Sequence, residues 1–294
     1  MTGNILLTVN PRSGKCMAKK VLLEIVTKLT DGGCTVTVLP TKPGDVTIRQ
    51  IAEKAPFYDM VIACGGDGTL NAVAEGVLQC GKRVPVGYIP LGSTNDFASS
   101  LGLPPDYEKA TETVLAGTPR PHDIGCFGDR HFTYIACCGA FTETSYSTSQ
   151  SLKNIFGHGA YILNLVNCLS DIRPMELQIE TGEETVSGKY IFFALANTTT
   201  AAGFIHLDGK DVNFSDGLFE LITIRYPKDL AEGRRIATNL IKGNMRDPAI
   251  TIRHASYVKV LSDTPVGWSL DGENGGKHKI SLLSVEKNAF DILK

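Results

Sequence analysis

The sequence predicts an α/β domain built on a parallel sheet, followed by a second, largely antiparallel β domain. Three observations carry that prediction. At 294 residues the chain is longer than one small core needs, so two domains are expected. Up to about residue 120, strand-like and helix-like segments alternate, as they do where helices cover a parallel sheet. Beyond "PRPHDIG" the rhythm changes to side chains alternating in twos, the pattern of strands with an exposed face.

In chain order, "NILLTVN" reads as a strand that runs through "PRSGK" into a helix. Val21, Leu22, Ile25, Val26 and Leu29 share one face of that helix at helical spacing. "CTVTVLPT" is the second strand, "VTIRQIAEKA" the second helix and "YDMVIAC" the third strand; "LNAVAEGVLQ" and "VPVGYIP" continue the alternation. In the second region, Phe132, Tyr134 and Ala136 alternate with His131, Thr133 and Ile135, and Leu177 and Ile179 alternate with Glu176, Gln178 and Glu180. A helix carries Tyr161, Ile162, Leu165, Val166 and Leu169 on one stripe; "KYIFFALAN", "GLFELITIRYP", "ASYVKVLSD" and "VGWSLD" follow as strands. The expected division is residues 1–122 against 123–283, with no internal repeat and no low-complexity linker.

Composition narrows the function. Hydrophobic content of 43% and charged content of 20% describe a folded globular chain rather than a disordered one. The net charge of −2, without an arginine- or lysine-rich tract, argues against nucleic acid as a partner. "MTGNILLTVNP" lacks the features of a secretory signal and runs such as "YIFFALA" are too short to span a bilayer, so a cytoplasmic location is expected. Eight cysteines are scattered, only Cys137 and Cys138 being adjacent, and none has the C-x-x-C spacing of a structural zinc site; reduced thiols in apolar surroundings are expected.

Three loops fall at strand ends, where open α/β sheets bind ligands: "NPRSGK" at 10–15, "GGDGTLN" at 65–71 and "PLGSTNDFA" at 90–98. The first lacks the spacing of a P-loop and has Cys16 in place of the hydroxyl residue. The second suits a phosphate, because glycines let backbone N–H groups approach an anion and the following helix presents its amino end. Gly65, Gly66 and Gly68 are equally what a bare turn needs, with Asp67 or Thr69 as helix cap. The acid Asp67 becomes intelligible beside a phosphate if the two share Mg²⁺, and Asp96 and Asp123 at the ends of neighbouring segments complete an acidic network.

"NPRSGK", "GGDGTLNAVAEGV", "PLGSTNDFASSLGLP", "HDIG", "FSDGLFE" and "WSLDGENGG" occur in the order and at about the spacing of the diacylglycerol kinase catalytic-domain family, and the chain resembles its bacterial soluble lipid kinases over nearly its whole length. The resemblance implies a nucleotide-binding α/β domain of the kind shared with phosphofructokinases and NAD kinases, a following β-sandwich domain, substrates meeting in the cleft, and a return of residues 284–294 to the first domain. It implies ATP and Mg²⁺ as cofactors and a lipid alcohol such as diacylglycerol as the acceptor, with peripheral membrane contact during turnover; a homodimer is left open. Carried over position by position, Asn10, Pro11, Arg12, Ser13, Gly14, Thr41, Gly65, Gly66, Asp67, Gly68, Thr69, Leu70, Asn71 and Thr94 hold ATP. Asp67, Asp96 and Asp123 form the magnesium and water network, and Glu273 is the general base. Asn213, Asp216 and Leu218 hold a structural magnesium, the first and last through backbone oxygens.

The chain departs from the family at "IHLDGKDVNFSDG", where a proline-bearing stretch is expected, which leaves Asp208 and Asp211 open as alternatives to Asp216 among the ligands. "LDGEN" also has a plain reading, since Asp-Gly between strands is a common hairpin turn. His122 reads as an ordinary loop histidine and Trp268 as a packed strand residue. Arg234, Arg235, Lys242 and Arg246 read as a solvated helix face with anionic lipid headgroups as the alternative. Two other functions stay open on this reading: a kinase of a soluble acceptor resembling the NAD kinases, and a catalytically silent nucleotide- or lipid-binding regulator.

Overall fold

The computed structural model describes residues 3–140, 173–201, 205–209 and 212–294. The helix expected around Tyr161–Leu169, together with Cys168 and Asp211, lies outside the described residues. The chain divides into two units: Met1–Ile124 with Phe214–Asp216 and Glu286–Lys294, and Gly125–Asn213 with Gly217–Val285.

The first unit is a wound α/β arrangement. Its elements are β1 (Asn4–Val9), α1 (Ser13–Asp31), β2 (Thr35–Pro40), α2 (Val46–Lys54), β3 (Met60–Gly65), α3 (Asp67–Gln79), β4 (Val86–Pro90), α4 (Asp96–Leu101) and α5 (Tyr107–Ala116). β1 pairs in parallel with β2 and β3, and β3 with β4. Every residue of β3 and β4 is buried, the signature of parallel strands covered on both faces. Val21, Ile25 and Leu29 of α1 bury against Ile5, Leu7, Ile62 and Ile89, with Leu22 and Val26 partly buried beside them.

β5 (Pro119–Phe127) leads into the second unit, whose strands are β6 (Arg130–Phe132), β7 (Ile135–Gly139), β8 (Met175–Thr181), β9 (Thr185–Ala196), β10 (Thr200–Ala201), β11 (Ile205–His206), β12 (Phe219–Arg225), β13 (Ile250–Ala255), β14 (Tyr257–Leu270) and β15 (Glu273–Leu293). A helix, α6 (Leu230–Ile241), lies between β12 and β13. The pairings within this unit are antiparallel. The long strands β9 and β14 each pair with β8 along one part of their length and with β7 along another. Phe132, Phe193, Phe219, Trp268 and Leu283 form the core. The last residues of β15 belong to the first unit, where Ile292 pairs in parallel with Val86.

Two local expectations change. The segment 131–136 does not alternate between buried and exposed: His131 is half-buried, Phe132 to Ala136 are all buried, and the strand breaks between Phe132 and Ile135. His122 is no loop residue; it is buried in β5, its ring among Phe97, Phe214 and Phe290. Trp268 is packed in β14 against Phe127 and Phe193. The described cysteines are free thiols.

Candidate active site

Because β1, β3 and β4 run parallel, their carboxyl ends, and the loops that follow them, share one edge of the first unit. In the first loop, Asn10 donates its N–H to the Cys64 carbonyl at 3.0 Å and accepts the Arg12 N–H at Oδ1, also at 3.0 Å. The Ser13 N–H reaches the Asn10 carbonyl at 3.2 Å, and Pro11 is half-buried beside an exposed Arg12. Gly14 has φ +54°, and a Cβ there would lie 2.2 Å from the Leu91 carbonyl oxygen, so the first and third loops touch only because this residue is glycine. Thr41, just past β2, donates its N–H to Val9 at 2.8 Å.

The second and third loops meet backbone to backbone. The Leu91 N–H donates to the Gly65 carbonyl at 2.7 Å, and a Cβ on Gly92 would fall 2.6 Å from the Gly66 Cα. Thr69 and Leu70 both donate their N–H groups to the Gly66 carbonyl as α3 begins; Gly68 is exposed, Asn71 half-buried one turn on, and Thr94 exposed in the third loop. The sequence-predicted positions from Asn10 to Gly14, Thr41, Gly65 to Asn71 and Thr94 thus fall on one edge. The helices that start there, α1, α2 and α3, have no side-chain cap. A helix start leaves N–H groups without intrahelical partners, and a phosphate satisfies them.

The acids divide by unit. Asp67 accepts the Asp96 N–H at 3.1 Å and the Phe97 N–H at 3.4 Å, so an acid from the second loop serves as the anionic cap of α4. The Tyr88 hydroxyl lies 3.3 Å from both Asp67 Oδ1 and Asn95 Oδ1. Burial, then the charge of Asp67, holds the Tyr88 phenol well above its ordinary range, so it remains a neutral donor. Burial first, and Asp67 second, push the Asp96 carboxyl up to about 7. Two carboxylates this close, one of them reluctant to ionise, suit a hard divalent cation or its waters. Asp123 is fully buried; it donates its N–H to the Phe214 carbonyl at 2.8 Å and accepts the Asn288 N–H at 2.6 Å. Asn213 is exposed, Asp216 half-buried and Leu218 exposed in the segment before β12, and Asp208 is exposed.

Glu273 is exposed at the first paired position after the β14–β15 turn, opposite Leu270. Asp271 and Gly272 form that turn with φ of 48° and 85°, the positive values a two-residue hairpin of the I′ type demands. Arg235 stays exposed on α6 while ion-pairing with the buried Asp247 at 3.0 Å, so this member of the solvated face also has a structural partner.

Several contributors escaped the sequence reading. Tyr88 stands unmarked within the strand segment "VPVGYIP". Asn95, at φ 54°, is bonded to Gly92 in both directions and fixes the loop before Asp96; its position in an Asn-Asp pair after Gly-Ser-Thr was the available signal. In sequence Asp271 is a turn residue; in the structure it is buried and accepts hydrogen bonds from Thr133, Tyr134 and Ile135. Burial raises its carboxyl above the usual range, while those donors pull it down.

Comparison with known proteins adds the family. Residues 4–127 match the diacylglycerol kinase catalytic domain. A diacylglycerol kinase of Bacillus subtilis (strain 168) is 37% identical over 91% of this chain and 88% of its own length, and one of Staphylococcus carnosus (strain TM300) is 34% identical over 95% and 91%. Two solved structures of diacylglycerol kinase-type proteins from Bacillus anthracis str. Sterne match the fold at TM-scores of 0.82 and 0.75, with 21% and 19% identity, each over 99% of this chain and 96% of theirs. With a glycine-rich edge and paired acids on one unit, and relatives matched almost end to end, the chain belongs to the diacylglycerol kinase family.

Proposed function

We propose that this chain is an ATP-dependent lipid kinase that transfers the γ-phosphoryl group of ATP to a hydroxyl of diacylglycerol or a related lipid. The observation that carries the reading is the meeting of three glycine-bearing loops at one sheet edge beside the Asp67–Asp96 pair. That the relatives from Bacillus subtilis and Staphylococcus carnosus are diacylglycerol kinases supports the lipid acceptor.

In this assignment the first unit is the nucleotide-binding domain. Asn10 to Gly14, Thr41, Gly65 to Asn71 and Thr94 hold ATP, with the amino ends of α1 and α3 directed at its phosphates. The second unit is a β-sandwich that takes the lipid, and the protein works in the cytoplasm at the membrane surface; no helix among the described residues is long and apolar enough to cross a membrane. The oxygen donors of Asp67, Asp96 and Asp123, and those of Asn213, Asp216 and the Leu218 backbone, suit magnesium. Bound magnesium neutralises charge on the transferred phosphoryl group. Asp67 orients the start of α4 and so sets where Asp96 stands. Glu273, exposed at its hairpin, accepts the proton of the acceptor hydroxyl as that oxygen attacks phosphorus.

The test is ADP production from Mg-ATP with detergent-dispersed diacylglycerol, other lipid alcohols and NAD, with the Glu273→Gln protein run beside the parent. Lipid-dependent turnover that falls by ~10²–10⁴-fold in the variant, with ATP binding retained, is the expected result. Stimulation by NAD alone would move the acceptor to a soluble nucleotide, and undiminished turnover in the variant would remove Glu273 from its role.

A further inference from the structure

We propose that Asp271 is a positioning residue for the transfer, holding the turn that presents Glu273; the proposal rests on the reading of Glu273 as the base. An aspartate selected only for an Asp-Gly turn leaves its carboxylate in water. This one is 7% exposed and uses both oxygens. Oδ2 accepts the Thr133 N–H at 2.5 Å and the Thr133 hydroxyl at 2.8 Å; Oδ1 accepts the Tyr134 and Ile135 N–H groups, each at 3.0 Å. The main chain joins in, since the Asp271 N–H donates to the Ile135 carbonyl at 2.9 Å.

That anchor explains the broken strand. The amides of Thr133 and Tyr134, which a continuous strand would direct into a ladder, turn to the carboxylate instead, and β6 and β7 are separated there. Charge-assisted bonds of this kind are about twice as strong as neutral ones, so the turn is pinned by side chain and backbone together. Gly272 completes the arrangement. A Cβ at this position would meet nothing within 4 Å, so glycine is required by φ +85° and not by crowding. Glu273 follows directly, and its carboxylate inherits its place from a tip fixed at Asp271. A base must be held within hydrogen-bond reach of its proton, and a displacement near 1 Å costs ~10²-fold in rate.

The experiment compares kcat and KM in Asp271→Asn, Gly272→Ala, Glu273→Gln and the Asp271→Asn/Glu273→Gln pair, each as the full chain, with melting temperatures recorded. Asn leaves one NH₂ facing donors that need an acceptor and so loosens the anchor. Gly272→Ala strains the turn while leaving the four bonds to Asp271 in place, and it carries the test if Asp271→Asn fails to fold. Asp271→Asn and Gly272→Ala are each expected to lose roughly 10–10²-fold in kcat with KM for ATP unchanged. The double variant is expected to be no slower than Glu273→Gln alone, which a merely structural residue would not produce. Parent-like kcat in the turn variants, or a loss that multiplies with Glu273→Gln, overturns the positioning role while leaving the base in place. Full activity of Glu273→Gln on its own removes the base, and the role of Asp271 with it.

Discussion

The helix starts of this protein fall into two kinds. α5 and α6 open on aspartates that cap their own amides: Asp106 accepts the Lys109 N–H and Asp229 the Glu232 N–H. α1 and α3, which rise from the loops after β1 and β3, open on Arg12 and Gly66, N-cap residues that make no side-chain cap, and α4 borrows Asp67 from its neighbour. Capping side chains are used where only stability is at stake. Where the chain meets phosphate in our reading, the cap residue's side chain does not compete with the ligand for first-turn amides, and the one acid present is turned onto a neighbouring helix.

The contrast is broken most severely at Asp67. Asp67→Asn keeps an acceptor for one amide of α4 but removes the charge. We expect turnover to fall by roughly 10²–10³-fold, on the scale of losing one preorganised electrostatic group, measured as kcat with Mg-ATP and dispersed lipid. Unchanged kcat would make Asp67 a cap and nothing more.

A second prediction separates the interior of the first unit from its loops. Burial lowers His122 to about 4 from 6.5, against a hydrogen bond to the Asp123 carbonyl that raises it. A lowered folded value means that the unfolded chain binds the proton more readily, so this contribution is present above pH 6.5 and lost as pH falls through about 4. Asp96 runs the other way: its raised value gives stability below 3.8 that is lost as pH rises through about 7. The difference between the parent and His122→Phe isolates the histidine, because phenylalanine fits among Phe97, Phe214 and Phe290 and cannot take a proton. Denaturant titrations should show the parent losing about 3 kcal/mol relative to the variant between pH 7 and pH 4, with KM for ATP the same in both at pH 7. A constant difference across that range would contradict the assignment.

The smallest effects sharpen the comparison from its other side. Asp106→Ala and Asp229→Ala should each cost about 1 kcal/mol of stability by chemical denaturation, without moving KM for ATP. A change in KM would mean that the two kinds of helix start are not functionally distinct.

What the sequence made legible was local. "MVIACG" is a run of apolar residues bounded by glycine, and it is β3, buried throughout. The stripe from Val21 to Leu29 is the packed face of α1. The three loops were readable because glycine, asparagine and aspartate punctuate strand ends. What stayed hidden depends on partners distant in sequence. The amides that Asp67 caps lie 29 and 30 residues away, and those that hold Asp271 lie 136 to 138 residues away. No period or motif encodes such a pair. The segment 131–136 departs from simple alternation for the same reason, since its amides at 133 to 135 answer to a carboxylate in the β14–β15 turn. The burial of His122 is invisible in sequence because three of its neighbours, Phe97, Phe214 and Phe290, come from separate stretches of chain.

The most direct test is amide hydrogen exchange on the full chain with and without Mg-ATP. The account predicts that nucleotide slows exchange at residues 12–16 and 66–71, the uncapped starts of α1 and α3, and leaves 106–109 and 229–232 unchanged. Protection at the capped helix starts, or none at the uncapped ones under saturating nucleotide, would contradict it.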